Sequence, residues 1–312
     1  MTERAQTERA KTARILCAGG AVQDIVMRVE NFPAPGTKAQ ASQFLITIGG
    51  QGANAAIAAA RLGAATSYAG PLGSGDDEVA NQIVTTLEHE GIDCRHAVRV
   101  PDGVSSVSLI MLDATGEKLI ATRRGTNLNG VAPADARALA TDIDAVLLDN
   151  RYPEFMMPIA RAAAARGIPR VLDFDRAGPL DDPLLPLCTH VIASADALRA
   201  STGAHDLGTA LKKLAAYYDG FLAGTDGPNG VDWLDGGEVR HMDAFQVAAI
   251  DTLGAGDAFH GAFTVRLVET GDAVAAMRFA AAAAAIKCTR FGGLTGAPTR
   301  AEVEAFLRDR AG

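Results

Sequence analysis

Four short apolar runs in the middle of the chain restrict its fold class more than any other part of the sequence. Between residues 145 and 224, AVLLD, GIPRVLDFD, THVIAS and GFLAG are separated by stretches with helical patterning. Strands that alternate with helices are typical of a parallel sheet, because neighbouring parallel strands need a crossover connection. The 312 residues suffice for one large domain. We therefore predict an α/β fold with a mainly parallel central sheet and helices on both faces.

Two distant parts of the chain have a different, β-rich pattern. Residues 25–48 contain the turn-rich NFPAPGT followed by the alternating FLITI. Residues 105–125 contain SSVSLIML, the turn DATGEK and LIATR, which is typical of a β-hairpin, with Gly116 permitting the turn. The pattern predicts a small β-sheet made of two pieces that are far apart in sequence, attached to the α/β body. The final third of the chain is predicted to be helical.

Composition and charge exclude several classes of protein. The net charge of −8 disfavours binding to nucleic acid and to anionic membrane surfaces. The four cysteines are scattered without a CxxC pair, so a disulfide framework or a structural zinc site is not expected. No apolar stretch resembles a signal peptide or a spanning helix. We expect a cytoplasmic protein in which residues 1–13 form a disordered tail and residues 14–312 form the domain.

Residues 249–263 (AIDTLGAGDAFHGAF) contain the pattern most suggestive of chemistry. Gly254, Ala255 and Gly256 precede a helix, so their backbone N–H groups would lie at the positive end of a helix dipole and form an anion site. Asp257 follows in the first helical turn. A carboxylate beside an anion site is useful when it accepts a proton from a hydroxyl during phosphoryl transfer. The structural alternative is an aspartate that only stabilises the start of the helix.

Residues 49–63 offer a second group of candidate site residues. Gly49, Gly50 and Gly52 would let a ligand approach the backbone closely, and Asn54 offers both a donor and an acceptor for a polyol. Asp24, which we expect at the end of the first strand, would accept hydrogen bonds from two adjacent hydroxyls. The structural alternatives are a helix-start hydrogen bond for Asn54 and turn capping for Asp24.

The same segment partly matches a dinucleotide fingerprint. Gly50, Gly52 and Ala55 have the required spacing, and Asp76 and Asp77 follow. The fingerprint, however, requires its acidic residue at the end of a second strand, whereas these two lie in a turn before a helix. The chain also lacks the GxxxxGK[ST] motif of a P-loop. An NAD-dependent oxidoreductase is therefore a minor alternative.

With both segments in place, the chain resembles the PfkB-type, or ribokinase-like, carbohydrate kinases over nearly its whole length from Arg14. The carboxyl-terminal signature of that family is matched by DTLGAGD at residues 251–257, and the amino-terminal signature by GGQGAN at residues 49–54. The resemblance implies a three-layer α/β/α sandwich with a small β-sheet lid that closes over the sugar and makes a homodimer contact. It also implies ATP and Mg²⁺ as cofactors.

The resemblance also implies roles for individual residues. Asp257 would be the catalytic base, with Gly254, Ala255 and Gly256 as the anion hole for the γ-phosphoryl group. The sugar would be held by Asp24, Gly50, Gln51 and Asn54. The nucleotide would meet Thr225, Asp226, Gly227, Asn229 and Gly230. Asp251, with the TRFGG turn at residues 289–293, could form the monovalent-cation (K⁺) site of many relatives.

Several positions depart from the family pattern. The family's Asn-x-x-Glu motif is replaced by SADA at residues 194–197, so Mg²⁺ placement would rest on waters, Asp196 or Asp173. Ribokinases usually have lysine where this chain has Gln51, which weakens the case for ribose. Arg151 follows a strand on the substrate side, as in the sulfofructose kinase branch, with ketohexokinase more distant.

An arginine after that strand can hold a sulfonate in the sulfofructose kinase branch, so Arg151 would bind an anionic substituent through its forked donors. Arg123 and Arg124 would add positive charge. The alternative for Arg151 is a surface salt bridge to Asp149 or Glu154. We predict an ATP-dependent kinase for a primary hydroxyl of a ketose or related hexose derivative. The other functions kept open are a nucleoside kinase and a catalytically silent sugar-binding regulator.

Overall fold

The computed structural model describes residues 12–310, so most of the tail predicted at residues 1–13 lies outside the described residues. Over the described range the chain forms thirteen strands and nine α-helices. The strands are β1 (Arg14–Ala18), β2 (Val22–Val29), β3 (Ala41–Gly49), β4 (Ala65–Leu72), β5 (Asp93–Arg99), β6 (Ser106–Leu112), β7 (Lys118–Arg123), β8 (Ala145–Asp149), β9 (Arg170–Phe174), β10 (His190–Ser194), β11 (Phe221–Thr225), β12 (Val231–Asp235) and β13 (Glu238–Met242). The helices are α1 (Gln51–Arg61), α2 (Glu78–His89), α3 (Ala136–Ala140), α4 (Pro153–Ala165), α5 (Ala195–Thr202), α6 (Leu207–Leu214), α7 (Ala255–Thr270), α8 (Ala273–Cys288) and α9 (Arg300–Arg308).

Nine of the strands form one large sheet in the order β13-β12-β11-β10-β9-β8-β1-β4-β5. The seven strands from β11 to β5 are parallel to their neighbours, and β12 and β13 add an antiparallel hairpin at one edge. The four apolar runs of the sequence are β8, β9, β10 and β11, which are adjacent in this sheet. The prediction of a mainly parallel central sheet is confirmed.

Helices cover both faces of the large sheet. On β1, Ile15 and Cys17 belong to one apolar cluster with residues of α1, α2, α7, α8 and α9, whereas Leu16 and Ala18 belong to a second cluster with residues of α3, α4, α5 and α6. Successive side chains of a strand point to opposite faces, so one buried strand contributes to two cores. The three-layer α/β/α arrangement is confirmed. Among residues 12–310, none of the helices combines the length and apolar character needed to cross a bilayer.

A second sheet, which we call the small sheet, consists of β2, β3, β6 and β7 in the order β3-β2-β6-β7. The β2–β3 and β6–β7 pairs are antiparallel, as expected for hairpins, and the central β2–β6 pair is parallel. The two β-rich parts of the sequence therefore meet in one sheet, as predicted. The prediction for Asp24 differs from the structure: Gly19 and Gly20 end β1, and Asp24 lies within β2 of the small sheet.

Candidate active site

The predicted site residues gather at the carboxyl edge of the large sheet, where ligands usually bind in open α/β sheets. Asp149 and Asp173 lie at the ends of β8 and β9, and α1 and α7 begin at the same edge. The small sheet contributes Asp24. Asn54 Oδ1 is buried here without a hydrogen-bond partner within the protein, and Gln51 Nε2 and Asp173 Oδ1 face each other without a well-formed hydrogen bond. Buried polar groups are nearly always paired, so these atoms indicate a place for a ligand or water.

Asp257 and Asn54 are 203 residues apart in sequence but in direct contact. The Asn54 Nδ2 atom donates a hydrogen bond to Asp257 Oδ2 at 2.6 Å. The contact depends on close packing of α1 and α7: a Cβ atom at Gly261 would lie 2.6 Å from the carbonyl oxygen of Ala55. Asn54 therefore orients one oxygen of the Asp257 carboxylate and leaves the other oxygen for another partner.

The environment of Asp257 favours its protonated form. Its pKa is raised to about 7, mainly by burial; the Asn54 hydrogen bond opposes the shift, and the charges of Asp175, Asp24 and Asp149 add to it. The pKa of Asp24, which is 6% exposed, is raised by burial to about 6, against the effect of its contact with Ser108. A carboxylate with a pKa near 7 is well suited to accept a proton at neutral pH.

The loop before α7 has the geometry expected of an anion site. Gly254 is the N-cap of α7 with a φ of 74°, and a Cβ atom there would lie 2.1 Å from Leu294 Cδ2. This position therefore needs glycine for both its conformation and its space. The Ala255 N–H already donates to the Thr252 carbonyl oxygen at 3.2 Å. The N–H groups of Gly256 and Asp257 belong to the first turn, whose donors have no acceptors within the helix.

The inner face of the small sheet carries a row of polar side chains, of which the sequence analysis identified only Asp24. Asp24 pairs in register with Thr47 and Ser108, and Ser108 pairs with Thr122. The hydroxyls of Ser108 and Thr122 are 3.0 Å apart. Directly opposite residues share one face of a sheet. The alternation of inward and outward side chains along these strands, taken together with Asp24, was the sequence feature that could have identified Ser108 and Thr122.

The glycines of the amino-terminal signature (residues 49–54) are needed for contacts within the protein itself. A Cβ atom at Gly49 would lie 1.9 Å from Asp24 Oδ2. At Gly50, whose φ is 91°, it would lie 2.6 Å from the Gly20 carbonyl oxygen, and at Gly52 it would lie 2.6 Å from Gly19 Cα. The space beside these glycines, which the sequence analysis assigned to a ligand, is thus occupied by the neighbouring backbone and by the Asp24 carboxylate. The missing side chain at Gly49 makes room for Asp24 at the site.

Two buried aspartates complete the carboxylate group. Asp149 is 1% exposed; its Oδ2 accepts from the Gly20 N–H at 2.6 Å and its Oδ1 from the Arg151 N–H at 2.9 Å. Asp173 lies with its Oδ1 3.5 Å from His260 Nε2. Burial, followed by the charge of Asp257, raises the pKa of Asp173 well above its usual value. Asp149 therefore positions the backbone, whereas Asp173 Oδ1 faces the His260 ring and the Gln51 side chain and makes no well-formed hydrogen bond.

These carboxylates offer few protein ligands for Mg²⁺. Within residues 12–310, no group of three or more His, Cys, Asp or Glu side chains is arranged to hold a metal ion. Mg²⁺ usually keeps several waters and binds through one or two carboxylates plus substrate phosphates. Asp173 Oδ1, which makes no well-formed hydrogen bond within the protein, would fit this mode. Asp196 does not, because its side chain is fully exposed and lies 3.8 Å from Arg199.

Arg151 lies beside the site among other arginines. Its Cγ is 3.5 Å from the Cβ position of Gly20, and its guanidinium lies over the Tyr152 ring, 5.7 Å from the centroid. Its contact with Asp149 is made by the main-chain N–H, not by the guanidinium. The charges of Arg151 and Arg124, after burial, lower the pKa of Arg176. These three arginines therefore form one positive region. Arg123 instead donates to the Ser105 carbonyl oxygen at 2.9 Å.

The predicted nucleotide loop follows β11 at the same edge of the sheet. Asp226 is paired with Arg199 of α5 at 2.7 Å, and Asn229 Nδ2 donates to Asp226 Oδ2 at 3.4 Å. Thr225 Oγ1 donates to the Ala193 carbonyl oxygen at 3.4 Å. Gly227 and Gly230 both have positive φ angles, of 52° and 95°. The ion pair with Arg199 thus fixes the shape of a tight, glycine-containing turn.

The structure gives the acidic residues of the dinucleotide-like pattern another role. Asp77 caps α2 by accepting from the Val79 N–H at 3.2 Å, and its second oxygen accepts from the Ser105 N–H at 2.7 Å. Asp77 therefore links α2 to the start of β6, which is a structural role, and Asp76 is exposed in the turn before α2.

Comparison with known proteins agrees with this geometry. Residues 12–300 match the family model described as pfkB family carbohydrate kinase. The chain is 32% identical to a ribokinase of Bacillus subtilis (94% of this chain and 99% of that protein). It is 30% identical to an ATP-dependent ribose-1-phosphate kinase of Halopiger xanaduensis (95% and 99%). A crystal structure from Agrobacterium tumefaciens, described as a candidate ribokinase, superposes with a TM-score of 0.91 and 36% identity (96% and 99%). This chain therefore belongs to the pfkB family of carbohydrate kinases, which are ATP-dependent phosphotransferases.

Proposed function

We propose that this kinase transfers the γ-phosphoryl group of ATP to the primary hydroxyl of a five-membered sugar ring. The observation that carries the proposal is the position of Asp257, a carboxylate with a pKa near 7 that lies beside the first-turn amides of α7. The polar row of the small sheet supplies a facing surface for sugar hydroxyls. A proton acceptor, an anion site and hydroxyl-binding groups are the three components that this transfer needs.

The proposed mechanism assigns a separate task to each group. Asp24 and the Asn54 amide bind sugar hydroxyls and orient the acceptor, which converts a bimolecular encounter into a positioned one. Asp257 takes the proton of the attacking hydroxyl, and the amides of Gly256 and Asp257 stabilise the negative oxygens of the phosphoryl group. Mg²⁺, held through Asp173 and the phosphates, would supply charge neutralisation at the nucleotide.

The nature of the sugar is the finer part of the proposal. The sequence analysis favoured a ketose or hexose derivative, but the similarity to ribokinase supports a pentose as the first candidate. A second candidate, an acceptor with an anionic substituent, is favoured by the positive region of Arg124, Arg151 and Arg176. The similarity to a kinase named for ribose 1-phosphate supports this second candidate.

A substrate screen separates these possibilities. ADP release would be measured with ribose, deoxyribose, ribose 1-phosphate, fructose, sulfofructose and adenosine. We expect turnover with a pentose or its phosphate, and Arg151→Met should raise KM for a charged acceptor at least tenfold while leaving a neutral one within about twofold. Preference for adenosine would indicate a nucleoside kinase. Thermal stabilisation by a sugar without ADP release would indicate a silent regulator.

We also propose that the outer face of the small sheet forms a homodimer. Two cross-strand rows of apolar residues lie on this face: Ile46, Ile25, Leu109 and Ala121 in one, Phe44, Met27, Met111 and Leu119 in the other. Phe44 is 59% exposed and Leu119 is 51% exposed. A continuous exposed apolar patch of this kind is typical of a protein interface.

Leu109→Asp should convert the dimer into a monomer, because it places a charge in the middle of the apolar face. Light scattering after gel filtration would give about twice the chain mass for the wild type and one chain mass for the variant at micromolar concentration. Val274→Asp, at a similarly exposed residue of α8, is the control and should remain dimeric. A monomeric wild-type protein would contradict the proposal.

A further inference from the structure

The ammonium group of Lys287 lies where the sequence analysis expected a monovalent cation. Lys287 is in the last turn of α8, and both it and Asp251 are 0% exposed. Its Nζ donates to the main-chain carbonyl oxygen of Asp251 at 2.7 Å and lies 3.4 Å from Asp251 Oδ1. A carbonyl and a carboxylate oxygen are the kinds of ligand that a buried alkali cation would require, and here both contact a lysine.

The remaining capacity of the Asp251 carboxylate is used by backbone amides. Oδ1 accepts from the Leu253 N–H at 2.8 Å, and Oδ2 accepts from the Gly292 and Gly293 N–H groups at 2.8 and 3.1 Å. The turn at residues 289–293 therefore presents donors to Asp251. These amides are satisfied by the carboxylate, so the group is complete without an added ion.

Electrostatics also disfavours a second positive charge here. An alkali cation at the Asp251 oxygens would lie within a few ångströms of the ammonium group, in a place shielded from water, where like charges repel strongly. Lys118 of β7 adds a further positive charge, and Cys288 is the other titratable neighbour. Burial lowers the pKa of Lys287, and the Asp251 charge opposes that shift. The paired carboxylate favours the charged form of the lysine.

The Lys287–Asp251 pair lies at the base of the loop before α7, which runs from Asp251 to Gly254. The N–H groups of Ile250 and Asp251 donate to the Cys288 carbonyl oxygen at 2.8 and 3.2 Å, which fixes the loop to the end of α8. Three residues after Asp251 the loop reaches Gly254, the N-cap of α7. We propose that the Lys287 ammonium replaces the monovalent cation as a permanent part of the fold, so that activity requires no K⁺.

The first test compares the wild-type protein in KCl and in choline chloride at equal ionic strength. We expect turnover to differ by less than about twofold and the Tm to be the same in both salts. A K⁺-specific activation of fivefold or more, or a K⁺-specific rise in Tm, would overturn the proposal. The activity arm depends on the proposed kinase function, whereas the Tm arm does not. If the protein had no kinase activity, the activity comparison would show no turnover in either salt, and the Tm comparison would still test the role of Lys287.

The second test uses two variants of Lys287. Lys287→Ala leaves space and an unpaired carboxylate, so we expect at least a tenfold loss of activity in choline chloride and a specific recovery of activity and Tm in KCl. Lys287→Met fills the space without charge, so we expect a similar loss without recovery. Lys212→Ala, on the exposed side of α6, is the control. Full activity and Tm of Lys287→Met in choline chloride would show that the charge is unnecessary. Circular dichroism would identify a variant that fails to fold. In that case the comparison of the wild-type protein in KCl and in choline chloride would decide whether K⁺ is required.

Discussion

Asp257→Asn should reduce turnover by at least about 10², because positioned general-base catalysis contributes about 10² to 10⁴ in rate. The asparagine side chain has nearly the same shape and can keep the contact with Asn54, but it cannot accept the hydroxyl proton. Binding of ATP should be unchanged, since the amides proposed to contact the phosphates belong to the backbone, which the substitution leaves in place. ADP release with the substrate found in the screen gives kcat, and fluorescence titration with a nucleotide analogue gives the affinity.

The matched control for this substitution is Asp219→Asn. Asp219 is an exposed aspartate before β11, outside the group of carboxylates at the site. Its replacement should leave turnover within about twofold of the wild type. If Asp257→Asn also retained near-normal turnover, the assignment of Asp257 as the base would be wrong, whatever the similarity to the family.

The same substitution should stabilise the protein at alkaline pH. In the unfolded chain an aspartate has a pKa of about 3.9, whereas in the folded protein the pKa of Asp257 is about 7. The folded state therefore binds this proton more tightly. Ionisation of Asp257 lowers the free energy of unfolding as pH rises from about 4 to about 7, and the cost is fully present above that range. Asp257→Asn removes the cost at pH 8 and changes nothing at pH 4.

The size of the effect follows from the pKa difference. One pKa unit corresponds to about 1.4 kcal/mol, so about three units set a ceiling of roughly 4 kcal/mol. The neighbouring carboxylates titrate together with Asp257, so we expect the gain in the free energy of unfolding at pH 8 to be about half of this ceiling. For a domain somewhat smaller than this one, a change of 1 kcal/mol in the free energy of unfolding shifts Tm by about 2 to 4 °C. Calorimetry at pH 8 and pH 4 measures the difference. An equal Tm change at both pH values, or a loss of stability at pH 8, would contradict the raised pKa.

Much of the architecture follows from local patterns. The apolar runs predicted that β8 to β11 belong to a parallel sheet, since buried parallel strands are nearly continuous apolar sequence. The small residues before Asp257 predicted an anion site, and a second glycine-rich segment predicted Asn54 as a sugar-binding residue; its contact with Asp257 was not predicted. The strand pattern and each glycine-rich segment depend on residues close together in sequence, so they are visible without a structure, whereas the contact between the two segments is not.

Other features depend on contacts that sequence spacing does not reveal. Asp24 was placed at the end of β1, but two glycines without side chains let the chain leave the large sheet first. The sequence analysis considered Asp149 only as an ion-pair partner for Arg151. In the sequence, an aspartate that will accept hydrogen bonds from two backbone amides looks the same as any other aspartate at the end of a strand. Lys287 was passed over within an alanine-rich helix. A single lysine in such a helix was a signal, but its partner lies 36 residues earlier.

The parallel pairing of β2 with β6 has a consequence for how the chain assembles. The two strands meet residue for residue, Val22 with Ser106 and Arg28 with Leu112, yet 84 positions separate each pair along the chain. Closing so long a loop has an entropic cost that must be met by contacts formed elsewhere. The segment between them contains α1, β4, α2 and β5, which are anchored on the large sheet. The two hairpins are local in sequence, but we expect their joining through β2 and β6 to accompany or follow the formation of the α/β body, which holds the connecting segment.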